Sequence, residues 1–240
     1  MRLLRTLIIF DQGGIAHSSG WHQVYASLDR AINRIDFPEG SGSLTLRRKS
    51  RIPGTFQLQR NGVVYLKSRF VKEMIGSEGW IPEAQFDIED LVLSPYLRLY
   101  PGLVPYQEAV TSKFGNFDFM IETQSGLRVA IEWETGNISS SHRSMNKLVT
   151  ALAAGKICAG VLVLPSRALY EHLTDRIGNI GELSPYLAMW SNLSSSIVRG
   201  LLAIMVVEQD ELTDDPGLPF LPTGNDGRAR QGRARHGNPI

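Results

Sequence analysis

Two short runs of alternating residues, joined by a turn, constrain this chain more than anything else in it. Phe117-Asp118-Phe119-Met120-Ile121-Glu122 and Val129-Ala130-Ile131-Glu132-Trp133-Glu134 flank a turn at Thr123 to Gly126. A period of two predicts strands, and two strands so closely joined predict a hairpin. Asp118, Met120 and Glu122 then share a face with Ala130, Glu132 and Glu134. Phe117, Phe119, Ile121, Val129, Ile131 and Trp133 make the other face, whose burial fixes the register. Four acids collect on one side. Carboxylates one residue apart on a strand repel unless they are solvated, protonated or bridged, and a hard divalent cation is the usual bridge. The same alternation also suits a half-buried hairpin with a solvated polar face, so the hairpin alone leaves both readings open.

The context adds direction. After Glu134 come Thr135-Gly136-Asn137-Ile138-Ser139-Ser140-Ser141-His142-Arg143 and a helical pattern with Met145, Leu148, Val149 and Leu152 on one face, ended by Gly155. The apolar run Ala159-Gly160-Val161-Leu162-Val163-Leu164-Pro165 follows and predicts a buried strand. An acidic strand, a polar loop with helix-capping serines, an amphipathic helix and an apolar strand stand in the order seen in nucleases of the PD-(D/E)xK class, which this chain resembles. In that resemblance Asp118 is the first acid, Glu132 the second, and Glu134 stands where most members carry lysine. The Glu-x-Glu variant narrows the likeness to type II restriction endonucleases of the BamHI, BglII and BstYI group, whose targets share a GATC core. The likeness extends over residues 20–35, the segment Arg60-Asn61-Gly62-Val63-Val64-Tyr65-Leu66-Lys67-Ser68-Arg69-Phe70 through Gly79-Trp80, the hairpin, and residues 160–186. It departs at the spacing from Asp118 to Glu132, which varies within the group, and at Glu134, where BglII-like members carry glutamine.

The resemblance implies an α/β fold of the PD-(D/E)xK restriction-endonuclease type, a mixed central sheet flanked by helices. It implies Mg²⁺-dependent hydrolysis of both strands of duplex DNA at a short palindrome containing GATC. Asp118, Glu132 and the main-chain carbonyl of Trp133 would hold the ion, Glu134 would act as base or second-metal ligand, and Glu73 is a candidate outer-shell acid. Asn137, Ser139, Ser140, His142 and Arg143, with Arg167, Arg176 and Asn179, are the candidate DNA-contacting residues, since amides and guanidinium groups read base edges and helix N-termini hold phosphate. A homodimer would match a palindrome, and a cognate DNA methyltransferase is the expected genetic partner. A less specific defence or repair nuclease, and a catalytically inactive DNA-binding protein, are the alternatives.

Composition fits a cytoplasmic enzyme. With 240 residues, 42% of them hydrophobic, the chain can bury one sizeable core. Residues 1–208 are expected as a single endonuclease domain and residues 209–240 as a flexible Arg/Gly-rich tail. The single cysteine, Cys158, has no internal disulfide partner and reads as a small hydrophobe. The apolar run near the N-terminus is too short to span a bilayer and reads as a strand. Net charge is only +1, so DNA affinity would rest on local clusters, Arg47, Arg48, Lys49 and Arg51 and then Lys67, Arg69 and Lys72. Helices are expected over residues 20–35, 68–75, 167–173 and 185–193, with further strands over 43–48 and 201–207.

Overall fold

The computed structural model describes residues 1–84, 98–104, 115–134, 136–174 and 177–222. The chain runs β1 (Arg2–Gln12), α1 (Ser19–Asn33), β2 (Thr45–Arg47), β3 (Ser50–Arg51), β4 (Leu58–Gln59), α2 (Val64–Gly76), β5 (Ile81–Ala84), β6 (Phe117–Glu122) and β7 (Arg128–Trp133). It continues through α3 (Ile138–Ala153), β8 (Ala159–Pro165), α4 (Arg167–Tyr170), α5 (Ile180–Leu183), α6 (Leu187–Asn192), β9 (Gly200–Glu208) and β10 (Glu211–Thr213).

Six strands form one sheet in the order β1-β9-β8-β7-β6-β5. The pairs β7·β8 and β8·β9 are parallel; β1·β9, β6·β7 and β5·β6 are antiparallel. Every residue of β8 is buried, which is why that strand reads as an unbroken apolar run: a parallel strand is covered on both faces. One face packs Val129, Ile131, Val161, Ala203 and Met205 against Trp21, Leu28 and Ile32 of α1 and Leu66 and Phe70 of α2. The other packs Ala130, Leu162, Leu164, Leu202 and Ile204 against Met145, Leu148 and Leu152 of α3 and Trp190 of α6. The apolar face of α3 therefore belongs to the core. Cys158 is half-buried and packs at the edge of the first core.

The helices start where local chemistry allows. Ser18 caps α1 by accepting the Trp21 N–H at 3.2 Å, and Asn137 caps α3 by accepting the Ser140 N–H at 3.1 Å. The expected elements are present with shifted bounds: α2 begins at Val64, ahead of residue 68, α4 is a single turn, and the expected strand over 43–48 narrows to β2. The stretch expected as a tail begins with described residues, 209–222. Its first part is packed: β10 pairs in parallel with β2, and the buried Leu221 gives its N–H to the Asn61 side chain. Leu44, Leu46 and Leu212 join the first core there and hold this segment down. Residues 223–240 lie outside the described residues, as does Arg176.

The approach of α3 to the sheet depends on Gly160. A Cβ at that position would meet Leu148 Cβ at 3.1 Å and Cδ2 at 3.2 Å. Gly160→Val is expected to push the helix off the strand and cost about 1–3 kcal/mol, as overpacking does; urea unfolding against the parent protein checks it.

Candidate active site

Strands β6 and β7 pair in register from Glu122 opposite Arg128 to Phe119 opposite Ile131. Beyond Phe119 the ladder changes character. The Trp133 N–H, which would otherwise seek a carbonyl on β6, donates to Asp118 Oδ2 at 2.8 Å. The chain also turns over at this point. Phe117, expected beside Phe119, sits in the α3-side core, while Phe119 and Trp133 stay on the α2 side against Phe70. Asp118 is thus directed toward the edge of β7, and its other oxygen takes Lys67 Nζ from α2 at 3.3 Å.

The two glutamates face α3, as the alternation predicts, but that face is not wet. Glu132 and Glu134 are each only 7% exposed. Glu132 Oε1 is ion-paired with Lys147 of α3. Glu134 Oε1 accepts the Gly136 N–H at 2.5 Å, and Oε2 accepts the Ser144 hydroxyl at 3.4 Å. A Cβ on Gly136 would lie 2.9 Å from Glu134 Oε1 and 2.6 Å from Ser140 Oγ, so the loop closes over Glu134 only because residue 136 has no side chain. Burial pushes the Glu132 carboxyl up to about 7, against the pull of Lys147 and with the help of the Asp118 and Glu134 charges. Burial likewise raises Glu134, against hydrogen bonds from Gly136 and Ser144.

Among the described residues no three acid, histidine or cysteine groups converge closely enough to hold an ion as they stand. The donor set nonetheless fits one. The Asp118 charge raises both glutamates and the Glu134 charge raises Glu132; all three side chains offer hard oxygen ligands, and a divalent cation would relieve their repulsion. Backbone N–H and C=O groups of one strand residue leave the strand on the same side, so the Trp133 carbonyl lies on the edge that meets Asp118.

The remaining candidates divide. Glu122 is exposed at the turn end of the hairpin, opposite Arg128 and away from the centre. Glu73 is not beside the acids: it binds Ser77 and faces Arg34, just past the end of α1, at 3.6 Å, toward the far end of α2. Asn137, Ser139 and Arg143 are exposed and Ser140 is half-buried in the first turns of α3, next to the Glu134 loop. His142 instead turns inward, its ring 4.4 Å from Tyr186 and 5.3 Å from Trp190. Asn179 is fully buried; it caps α5 and gives its amide to Glu182 at 2.7 Å, leaving no free edge for a base. Arg167 is exposed, 3.4 Å from Glu171 and over the Tyr170 ring. The second basic cluster is partly consumed, with Arg69 on Asp36 and Glu39 and Lys72 on Glu39.

The sequence pattern missed four groups. Lys147 and Ser144 lie one turn apart on α3 and reach Glu132 and Glu134; that spacing was readable, but its target was not. Lys67 belonged to a cluster read as a phosphate contact. Glu83 lies on β5 between Pro82, opposite Phe119, and Ala84, opposite Phe117, which places it opposite Asp118. Its φ of 47° is a left-handed value that costs a non-glycine residue energy, and no periodicity announces it.

A model of the family "Restriction endonuclease BamHI" matches residues 1–228. This chain belongs to the BamHI family of restriction endonucleases. It is 31% identical over 231 residues to the type II restriction enzyme OkrAI of Oceanobacter kriegii, an alignment covering 95% of this chain and 99% of OkrAI. It is 37% identical over 111 residues to the type II restriction enzyme BamHI of Bacillus amyloliquefaciens, covering 46% and 48% of the two chains. The fold matches a crystal structure of restriction endonuclease BglII complexed with a DNA 16-mer at a TM-score of 0.57, with 6% identity, over 88% of this chain and 79% of that one. The architecture is the mixed-sheet restriction-endonuclease fold, and the BamHI-family chain is a hydrolytic nuclease. Among the described residues no helix is long and apolar enough to cross a membrane.

The raised Glu132 carboxyl gives the centre a signature in stability. Between the ordinary carboxylate range and about pH 7 the folded protein holds a proton on Glu132 that the unfolded chain has lost. Stability therefore falls as pH rises through that window. Glu132→Gln removes this loss, so in chelator the melting temperature of the variant should gain on that of the parent from pH 5 to pH 8. An unchanging difference would show that Glu132 titrates normally.

Proposed function

We propose that this BamHI-family chain is a site-specific deoxyribonuclease that hydrolyses both strands of duplex DNA at a short palindrome with a GATC core, as a homodimer using Mg²⁺. The observation that carries the reading is the cluster of Asp118, Glu132 and Glu134 at the end of the β6·β7 ladder, with two of the three carboxylates buried and raised. The GATC core rests on the likeness to the BamHI, BglII and BstYI group carried by the Glu-x-Glu pair.

In this reading Asp118, Glu132 and the Trp133 carbonyl hold the ion, with Glu83 across β5 as the further acid in place of Glu73. Bound Mg²⁺ supplies Lewis acidity, polarising the scissile phosphate and stabilising charge on the leaving oxygen. Glu134 takes the proton of the attacking water at Oε2, where only the Ser144 hydroxyl competes, since Oε1 is committed to the Gly136 N–H. A carboxyl raised by burial suits that work, because its conjugate acid retains the proton near neutral pH. The Asp118 contact with the Trp133 N–H orients the carboxylate beside the carbonyl. The exposed Asn137, Ser139 and Arg143 in the first turns of α3, with Ser140 and Arg167, are the groups placed to meet DNA. A symmetric dimer presents two such centres to the two strands, and a methyltransferase of the same specificity protects the host DNA.

The test is digestion of unmethylated phage DNA with Mg²⁺, followed by sequencing of the fragment ends. Discrete ends sharing GATC are expected, and ragged ends would overturn the specificity. Asp118→Ala and Glu132→Ala should each slow cleavage by about a thousandfold or more, the several kcal/mol that a catalytic ion contributes. Binding of a GATC duplex in a gel-shift assay should persist in both, since negative charge near phosphate has been removed. Cleavage that survives both substitutions would place the centre elsewhere.

A further inference from the structure

Lys147 is an unusual lysine. Its side chain is only 12% exposed, its ammonium is ion-paired with Glu132 Oε1, it donates to the Asn116 carbonyl at 2.7 Å, and it sits 4.9 Å above the Phe117 ring. Burying an ammonium costs several kcal/mol unless the site repays it with a partner charge and hydrogen bonds, and here all three kinds of contact are supplied. Lys67 makes the complementary contact from the other face of the sheet, 3.3 Å from Asp118 and more exposed, at 42%. Each of the two carboxylates expected to ligate the ion thus already has an ammonium from a helix. Strand β7 itself carries no lysine.

We propose that Lys147, seconded by Lys67, is a built-in counter-ion of the acid cluster: it positions the Glu132 carboxylate in the free protein and competes with divalent cation for it. The inference rests on the metal-dependent reading of the same centre. The Lys147 and Lys67 ammonium groups thus offset part of the negative charge of the acid cluster before any ion arrives. An entering cation must therefore displace the Lys147 ammonium from Glu132 Oε1 or share that oxygen with it, at an electrostatic cost that is large where water is scarce. Lys147 is a positioning residue in this sense, acting on the ligand and not on the reacting phosphate.

Calorimetric titration of the full chain with Ca²⁺ alone, without DNA, reads the competition directly. Lys147→Met should bind Ca²⁺ about tenfold more tightly than the parent, in line with removal of one close, partly buried like charge. Lys147→Arg, which keeps the charge, should stay near the parent value, and Lys67→Met should gain less, since solvent already screens that pair. A purely structural role for Lys147 would leave the affinity unchanged or weaken it, and either result overturns the proposal. If Lys147→Met fails to fold by circular dichroism, Lys67→Met carries the test, and an unchanged affinity there overturns it equally. Asp118→Ala separates the two levels of argument. Saturable binding that Asp118→Ala abolishes, with no gain in the lysine variants, sinks only the counter-ion proposal. Absence of Ca²⁺ binding in the parent and in every variant sinks the metal reading and this proposal together.

Discussion

The bond from the Trp133 N–H to the Asp118 carboxylate organises this molecule's centre. A backbone donor in a sheet interior has to be satisfied, and in an uninterrupted hairpin a carbonyl across the ladder would do it. Here a side chain does, at the point where β6 turns over. Two features accompany this change of acceptor: Asp118 is brought to the edge of β7, and Phe117 lies in the core under α3. Phe70, stacked on Trp133 at 4.2 Å and edge-on to Phe119 at 5.6 Å, fixes the apolar side of the same junction.

The second constraint is the burial of two glutamates beneath a helix. Desolvation alone would protonate or expel them, and the structure offsets it with specific groups: Lys147 on Glu132, Ser144 and the Gly136 N–H on Glu134. These depend on the height and rotation of α3, set by Asn137 at its cap and by the close approach of Leu148 to Gly160 on β8. The β7–α3–β8 unit is therefore both the middle of the fold and the frame of the site. The fold is shared with BglII at 6% identity, because a layered sheet asks only for apolar residues of suitable size, which many sequences supply.

Much of this was legible beforehand because periodicity is a local property. The alternation at 117–122 and 129–134 specified the hairpin, its turn and the side on which Glu132 and Glu134 emerge. The Met145, Leu148, Val149 and Leu152 stripe specified α3, and the unbroken apolar run specified β8 as a covered strand. Reading failed where a contact joins distant segments. Alternation placed Glu122 with the acids, but it lies four positions along the strand from Asp118, and Arg128 lies opposite it. Glu73 and Glu83 look alike as letters; only the pairing of β5 with β6 distinguishes them. Asn179 and His142 carry groups able to meet DNA, yet a cap and an aromatic cluster engage them. Residues 210–222 are polar in composition, yet β10 pairs with β2 and Leu221 binds Asn61.

By itself, then, the sequence determined the strand and helix periods, most of the apolar faces and the placing of Glu132 and Glu134 on one side of β7, because each is written in residues a few positions apart. The tertiary structure decided which way Asp118 points, that the glutamates are buried, and that Lys67 and Lys147 meet them. Those outcomes depend on the register of β5 on β6 and on the packing of α2 and α3 over opposite faces of one sheet. Such packing is fixed by the shape of a whole core, and no local run of residues contains it.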